Sequence, residues 1–298
     1  MPHAESQGAR LYYEETGPDA SHAPPILFIH EFAGDYRSWQ GQMRHFGRDR
    51  RCITWSARGY PMSDCPEDEG LYGQDYFTSD AVAVLDAAGV DKAHVVGLSM
   101  GGYTALMLAL AHPDRLISCV AAGAGSGGLN ALRPAFIADS LARAAEFEQA
   151  GRIDAEAYCL GPTRVQLKRK HPMAWRAFVE HMAEHPVRGA ANTLRRVQAG
   201  RTALEDMAAE LAAIEVPVLL LVGDEDEPCL DVNLWMKRRM PAARLAMLPG
   251  SGHVLNIEEP ALFNGLLEDF FHQVEAGRWG RRDARSTIPS IYGPSGKP

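Results

Sequence analysis

His94-Val95-Val96-Gly97-Leu98-Ser99-Met100-Gly101-Gly102-Tyr103 is the stretch on which the reading of the whole chain turns. Val95 and Val96 are β-branched and apolar, as a short strand buried on both faces requires. Tyr103 to Ala111 is built on Ala, Leu and Met and stops ahead of Pro113, which predicts a buried helix with a marked end. Ser99 stands at the junction, with glycines two residues before it and two after. Side chains at those flanking positions would collide across a sharp strand-to-helix turn. Such a turn strains the serine backbone and thrusts Oγ above the sheet edge, beside the free N–H groups and positive dipole end of the helix. A blander reading makes Ser99 an ordinary N-cap and Gly101-Gly102 a close-packing device. The rest of the chain argues against it.

The 298 residues suffice for one large α/β domain, or a core with a modest insertion. Hydrophobic residues at 46% and charged residues at 23% belong to a globular protein rather than a disordered one. A net charge of -8 disfavours nucleic acid, which wants a basic surface, and no apolar run reaches the length of a membrane span. Met1 to Gly17 is polar and acidic where a signal peptide would be basic and then apolar, so a cytoplasmic location is the expectation. Cys52, Cys65, Cys119, Cys159 and Cys229 are odd in number and form no C-x-x-C pair, which predicts reduced thiols and neither a disulfide framework nor a zinc site. Nothing in the composition sets an oligomeric state.

Outward from Ser99, strands and helices alternate. Ala9 to Glu15 reads as an edge strand, Pro25 to His30 as a fully apolar one, and a short helical stretch surrounds Trp39 and Met43. Arg51 to Trp55, Leu116 to Ala122, Val216 to Val222 and Arg244 to Leu248 are further strands. Tyr76 to Ala88 and Pro260 to Val274 are helices. Leu129 to Ala209 contains no convincing strand but several amphipathic helical pieces. The pattern predicts an α/β fold, a mostly parallel central sheet with helices on both faces. Residues 1–128 and 210–276 form the core, 129–209 an all-helical cap over the carboxyl ends of the strands, and 277–298 a flexible tail.

A serine hydroxyl needs a base, and the base an orienting acid. His253 follows a strand and is preceded by Gly250-Ser251-Gly252, small residues that let a loop bend back over the sheet edge. The acid falls within Asp224-Glu225-Asp226-Glu227, at the carboxyl end of the strand that begins at Val216. The order serine, acid, histidine is that of the α/β-hydrolases.

On these residues the chain resembles the α/β-hydrolase fold family up to about Val274, in its capped, cofactor-free esterase, lactonase and C–C hydrolase branch. Gly97-Leu98-Ser99-Met100-Gly101-Gly102 is similar to that branch's nucleophile elbow. Gly223-Asp224-Glu225-Asp226 resembles its G-x-x-D turn, which selects Asp226 as the acid. Gly252-His253, with Glu258, Glu259 and Pro260, resembles its histidine loop, and Arg58-Gly59-Tyr60-Pro61-Met62-Ser63 its R-G-x-G-x-S turn, with Pro61 replacing a glycine. The resemblance implies catalysis by Ser99, Asp226 and His253, with the backbone N–H groups of Phe32 and Met100 as oxyanion hole and no cofactor or metal. The family's oxyanion loop begins His-Gly, and this chain has His30-Glu31-Phe32. Glutamate reaches glycine's backbone angles only with strain, and its carboxylate would oppose a developing oxyanion. Glu31 is therefore expected to turn away, towards Arg37 or Arg58.

Three further signals are set aside. Gly123 to Gly128 spells G-x-G-x-x-G, but deep in the chain and leading into the insertion, where a dinucleotide fingerprint would open the first βαβ unit. His181-Met182-Ala183-Glu184-His185 spells H-x-x-E-H, but Pro186 ends its helix at once. Lys168-Arg169-Lys170-His171 reads as a solvated face, or else, with Arg133 or Arg164, as a lure for a carboxylated substrate. The reading reached is a serine hydrolase of a small-molecule carboxylic ester or lactone, with Phe32, Trp39, Met100, Leu129, Trp175 and Val254 as apolar pocket walls. Its alternatives are the same triad cleaving a C–C or amide bond, and a hydrolase-fold ligand receptor with little turnover. A serine at the elbow argues against the family's dehalogenases and epoxide hydrolases, which use aspartate there.

Overall fold

A computed structural model describes residues 2–18 and 21–287. Eight strands form one sheet in the order β1-β2-β4-β3-β5-β6-β7-β8. They are β1 His3–Ser6, β2 Ala9–Thr16, β3 Ala23–Ile29, β4 Arg50–Trp55, β5 Ala93–Leu98, β6 Leu116–Ala122, β7 Val218–Gly223 and β8 Ala243–Leu248. Pairing is antiparallel between β1 and β2 and between β2 and β4, and parallel from β4 through to β8. The Ala9 strand is thus not the edge. The short β1, whose sequence alternates too briefly to be read, covers it.

Strands β3, β5, β6 and β7 are largely apolar because helices shield both faces, and the polar pair they bury, His94 and Ser118, hydrogen-bond to each other at 2.7 Å. Val95, Val96, Val120, Leu220 and Leu221 are fully buried, each contributing roughly 1.5–3 kcal/mol. Among the described residues the α-helices are α1 Gln40–Phe46, α2 Gln74–Ala87, α3 Met100–Ala111, α4 Arg133–Ala150, α5 Ala155–Cys159, α6 Val165–Lys170, α7 Pro172–Ala183, α8 Val187–Asn192, α9 Ala208–Ala213, α10 Glu227–Arg239, α11 Leu255–Glu258 and α12 Pro260–Glu275. Helix α3 is apolar nearly all round and buried from Met100 to Leu106, as a helix enclosed on every side must be. No strand interrupts the chain between β6 and β7, where α4 to α9 lie.

Two more sequence expectations change. Helix α10 starts inside what reads as a charge run, because Pro228 at its first turn and the apolar Cys229, Val232 and Met236 supply a helical start and a buried face. The beginning of the 277–298 tail is docked rather than free. Trp279 lies edge-on to Phe270 at 4.6 Å and donates its indole N–H to the Ala242 carbonyl, and the Arg282 amide bonds to Pro241. Residues 288–298 of that expectation lie outside the described ones.

The chain builds β3, moves outward to β4, and returns to place β5 on the other side of β3. Connections leave the sheet in opposite directions at that point, the position at which open α/β sheets place their ligands, outside the carboxyl ends of the strands. Ile29 pairs with Gly97, which sets the His30–Phe32 loop beside Ser99.

Candidate active site

Ser99 has φ 55 and ψ -112, one of three non-glycine residues with positive φ among those described. Its N–H is held by the Ala122 carbonyl at 2.7 Å and its carbonyl by the Tyr103 N–H at 2.9 Å, so neighbouring strand and helix enforce the strain. The flanking glycines are required sterically. A Cβ on Gly97 would lie 2.0 Å from the Gly101 carbonyl oxygen, and one on Gly101 would lie 2.1 Å from that of Ile29. Ser99 is half-buried while Met100 is fully covered.

Asp226 and His253 meet. The His253 Nδ1 lies 2.7 Å from Asp226 Oδ2, with the carboxylate fully buried and the histidine 5% exposed. Asp226 ends the β7 turn as the residue before α10. The histidine loop folds back over that turn, which only Gly223 permits, since a Cβ there would sit 2.2 Å from the Ser251 carbonyl. The fold-back carries the ring to the end of β6: a Cβ on Gly123 would lie 3.4 Å from His253 Nδ1. Gly123 directly follows Ala122, the residue that holds the Ser99 amide. Burial opposes the imidazolium, but the adjacent Asp226 carboxylate outweighs it and raises the His253 pKa well above its ordinary value. Asp224, the competing acid, is exposed and accepts the Ser251 N–H at 3.0 Å.

Glu258 brackets the histidine, accepting the Gly252 N–H at 2.9 Å and the Val254 N–H at 3.2 Å on its two oxygens. The segment between β6 and β7 grips the same loop. The His253 N–H donates to Thr163 at 2.8 Å, and Lys170 pairs with Glu259 at 2.7 Å.

The His30 ring fixes the loop that follows β3. Its Nε2 accepts the Ala57 N–H at 3.0 Å, so Nδ1 carries the proton and donates to the Glu31 carbonyl at 2.7 Å. Burial pushes the His30 pKa down to about 4, keeping the ring neutral. The Glu31 carbonyl and the Phe32 N–H share one trans peptide plane and point opposite ways, so holding the first aims the second. Among the described residues, no backbone carbonyl accepts the Phe32 or Met100 N–H.

Glu31 turns away as expected but to another partner. Its carboxylate pairs with Arg164 of the insertion, both side chains buried, while Arg58 pairs with Asp80 and Arg37 with Asp35 and Glu184. Glu31 is not among the positive-φ residues, so the strain expected there is absent. The Arg164 guanidinium lies 5.0 Å over the Tyr158 ring, which is 5.9 Å from that of Phe32. Arg164 is therefore engaged, and so is Arg133, which bonds the carbonyls of Gln198, Ala199 and Arg201.

Of the expected pocket walls, Val254 is fully buried beside His253 and Leu129 half-buried. Trp175 is buried, donating its indole N–H to Cys159 at 3.0 Å under Lys168. Trp39 belongs to the core instead: it stacks on Phe28 at 4.9 Å and lies 6.1 Å from Phe263, with no exposed surface. Its place just before α1 turns it inward. In the H-x-x-E-H segment, His185 bonds to Asp35 at 3.3 Å and Glu184 to Arg37 at 2.6 Å, so both are spent on holding the insertion to the core.

A family model described as the alpha/beta hydrolase fold matches residues 24–260. The chain belongs to that family. It is a hydrolase, and the fold read from the sequence is the one observed. It is 27% identical over 273 residues to the 3-oxoadipate enol-lactonase 1 of Acinetobacter baylyi, covering 90% of this chain and 96% of that one. Among solved structures, the enol-lactonase from Burkholderia xenovorans superposes with a TM-score of 0.79 at 22% identity, over 91% of this chain and all (100%) of that one. A hydrolase from Pseudomonas aeruginosa superposes with a TM-score of 0.77 at 26% identity, over 90% and 96%. No helix among the described residues is long and apolar enough to cross a membrane.

Proposed function

We propose that this hydrolase cleaves a carboxylic ester or lactone of a small organic molecule, through a Ser99–His253–Asp226 triad and an acyl-enzyme. The observation that carries the reading is the 2.7 Å contact between His253 Nδ1 and Asp226 at the sheet edge that presents Ser99 on a strained elbow. Asp226 fixes the tautomer that leaves Nε2 free to take the Ser99 proton, and it stabilises the imidazolium that results. The tetrahedral oxyanion then rests on the Phe32 and Met100 amides, the first aimed by His30 and the second at the start of α3. His253 returns its proton to the leaving group, and water attacks the acyl-enzyme by the reverse route.

The lactone preference draws support from the relative named as an enol-lactonase. Residues 129–209 act as the cap that encloses the substrate, since Thr163 and Arg164 bind the histidine and oxyanion loops together. A panel of esters, lactones, amides and vinylogous diketones tests the reading. Lactone or ester turnover that vanishes in Ser99→Ala is the expected result. Preferential cleavage of an amide or a C–C bond would overturn the bond assignment, and binding without turnover would overturn the catalytic one.

A further inference from the structure

Helix α10 places a thiol against the acid–base pair. Asp226 and Cys229 are three residues apart across its first turn, so both face the same side, and His253 descends onto them from its loop. The carboxylate, thiol and imidazole donor atoms all lie within 4.8 Å of one another, and all three residues are buried. The Cys229 thiol lies 3.2 Å from the Gly123 carbonyl and 3.3 Å from Ser126 Oγ. Asp226 Oδ1 is buried with no hydrogen-bond partner among the described residues, so one carboxylate oxygen of this cluster has an unused lone pair.

We propose that Asp226, Cys229 and His253 form a binding site for a thiophilic divalent cation of the zinc class, and that its occupation switches the hydrolase off. Carboxylate, thiolate and neutral imidazole together carry two negative charges, which a divalent ion cancels, so the filled site is neutral as burial demands. Bonds of about 2.0–2.3 Å in a tetrahedron space their donors roughly 3.3–3.8 Å apart, within the range that this cluster spans. On binding, the S–H bond breaks, the S–metal bond forms, and the thiol proton passes to buffer. The metal takes Nδ1, whose proton relocates to Nε2. An Nε2 that already carries a proton cannot accept one from Ser99. The inhibition therefore rests on the proposed triad, whereas the binding does not.

The full chain is titrated with Co2+ alone, followed by absorption, and separately with Zn2+ alone during ester hydrolysis, each variant scored against its own metal-free rate. The expected result is one ion per chain with a sulfur-to-cobalt charge-transfer band, and matching inhibition by zinc. Cys229→Ser and Cys229→Ala should both lose the band and weaken zinc inhibition by at least the 10–100-fold that loss of an outer-sphere partner costs. Cys65→Ser, which removes the half-buried thiol elsewhere, should keep both. Absence of the band in the parent chain, its survival in either Cys229 variant, or its loss in Cys65→Ser overturns the site. A Cys229-dependent band without zinc inhibition of an active esterase overturns the switch. A Cys229-dependent band in a chain that hydrolyses nothing upholds the site and sinks the triad reading instead.

Discussion

Glu31→Gln is the most informative single substitution, because it separates the packing of the insertion from the chemistry below it. Glu31 is fully buried and the Arg164 side chain is only 7% exposed. With charge centres about 4 Å apart and an effective dielectric near 20, their attraction is roughly 4 kcal/mol. Desolvation of the two ions offsets most of that, so the pair adds little net stability as a whole. Removing one partner is another matter. Glutamine keeps the shape but leaves a guanidinium that cannot shed its proton, buried against Tyr158. The expected loss is about 3–5 kcal/mol of unfolding free energy. Arg164→Met should also destabilise the fold. The double variant should recover at least about 2 kcal/mol relative to the sum, since neither charge is then orphaned. Turnover should fall less than the roughly 10²–10³-fold cost of losing an oxyanion donor, because His30 continues to aim the Phe32 amide. Urea unfolding, with the slope checked for constancy, reads the first quantity and kcat the second. Unfolding of Glu31→Gln within about 0.5 kcal/mol of the parent with kcat unchanged, or strict additivity of the pair, would refute this account.

Three further outcomes follow from the same geometry. Asp226→Asn should lower turnover by roughly 10⁴, while Asp224→Asn, whose amide oxygen can still accept the Ser251 N–H, should stay close to the parent; the reverse ranking would reassign the acid. His253 works as a base only when neutral and its pKa is raised above 6.5, so the acid limb of kcat/KM should lie above pH 6.5 and move down in Asp226→Asn. A limb at or below that value in the parent would contradict the coupling. Gly189→Ala would put a Cβ 1.9 Å from the Gly59 carbonyl, where α8 crosses the Arg58–Ser63 turn, and thermal unfolding should register a loss of about 1–3 kcal/mol.

The sequence carried the architecture because strand and helix periodicities are local. Seven of the eight strands, the buried α3 and the strand-free stretch after β6 could all be read without coordinates. The same holds for the glycine at 97, since the collision that excludes a side chain there is with the Gly101 carbonyl four residues on, whereas the one at 101 is with the Ile29 carbonyl of a distant strand. Partner identities are a different kind of information. Glu31 invited a cation, and Arg37, Arg58 and Arg164 were equally eligible by charge. Burial chose among them: Arg58 is consumed by Asp80 and by the Leu71 and Ser6 carbonyls, and Arg37 by Asp35 and Glu184. Trp39 was legible as apolar but not as core, since helical spacing does not say which neighbour a face meets.

What the chain determined by itself is the sheet, the strand-free stretch after β6 and the candidate serine, acid and histidine at the sheet edge, because propensity, patterning and turn sterics act over a few residues. What the tertiary structure alone decided is who stands next to whom there. Asp226 meets His253 because β7 and β8 run parallel and Gly223 lets the later loop cross above. Cys229 joins them because helical rise sets it one turn past the acid, and Arg164 reaches Glu31 from 133 residues away because the segment between β6 and β7 packs onto the loop that follows β3. Those contacts depend on how distant segments exclude water together, and no short stretch of sequence contains that information.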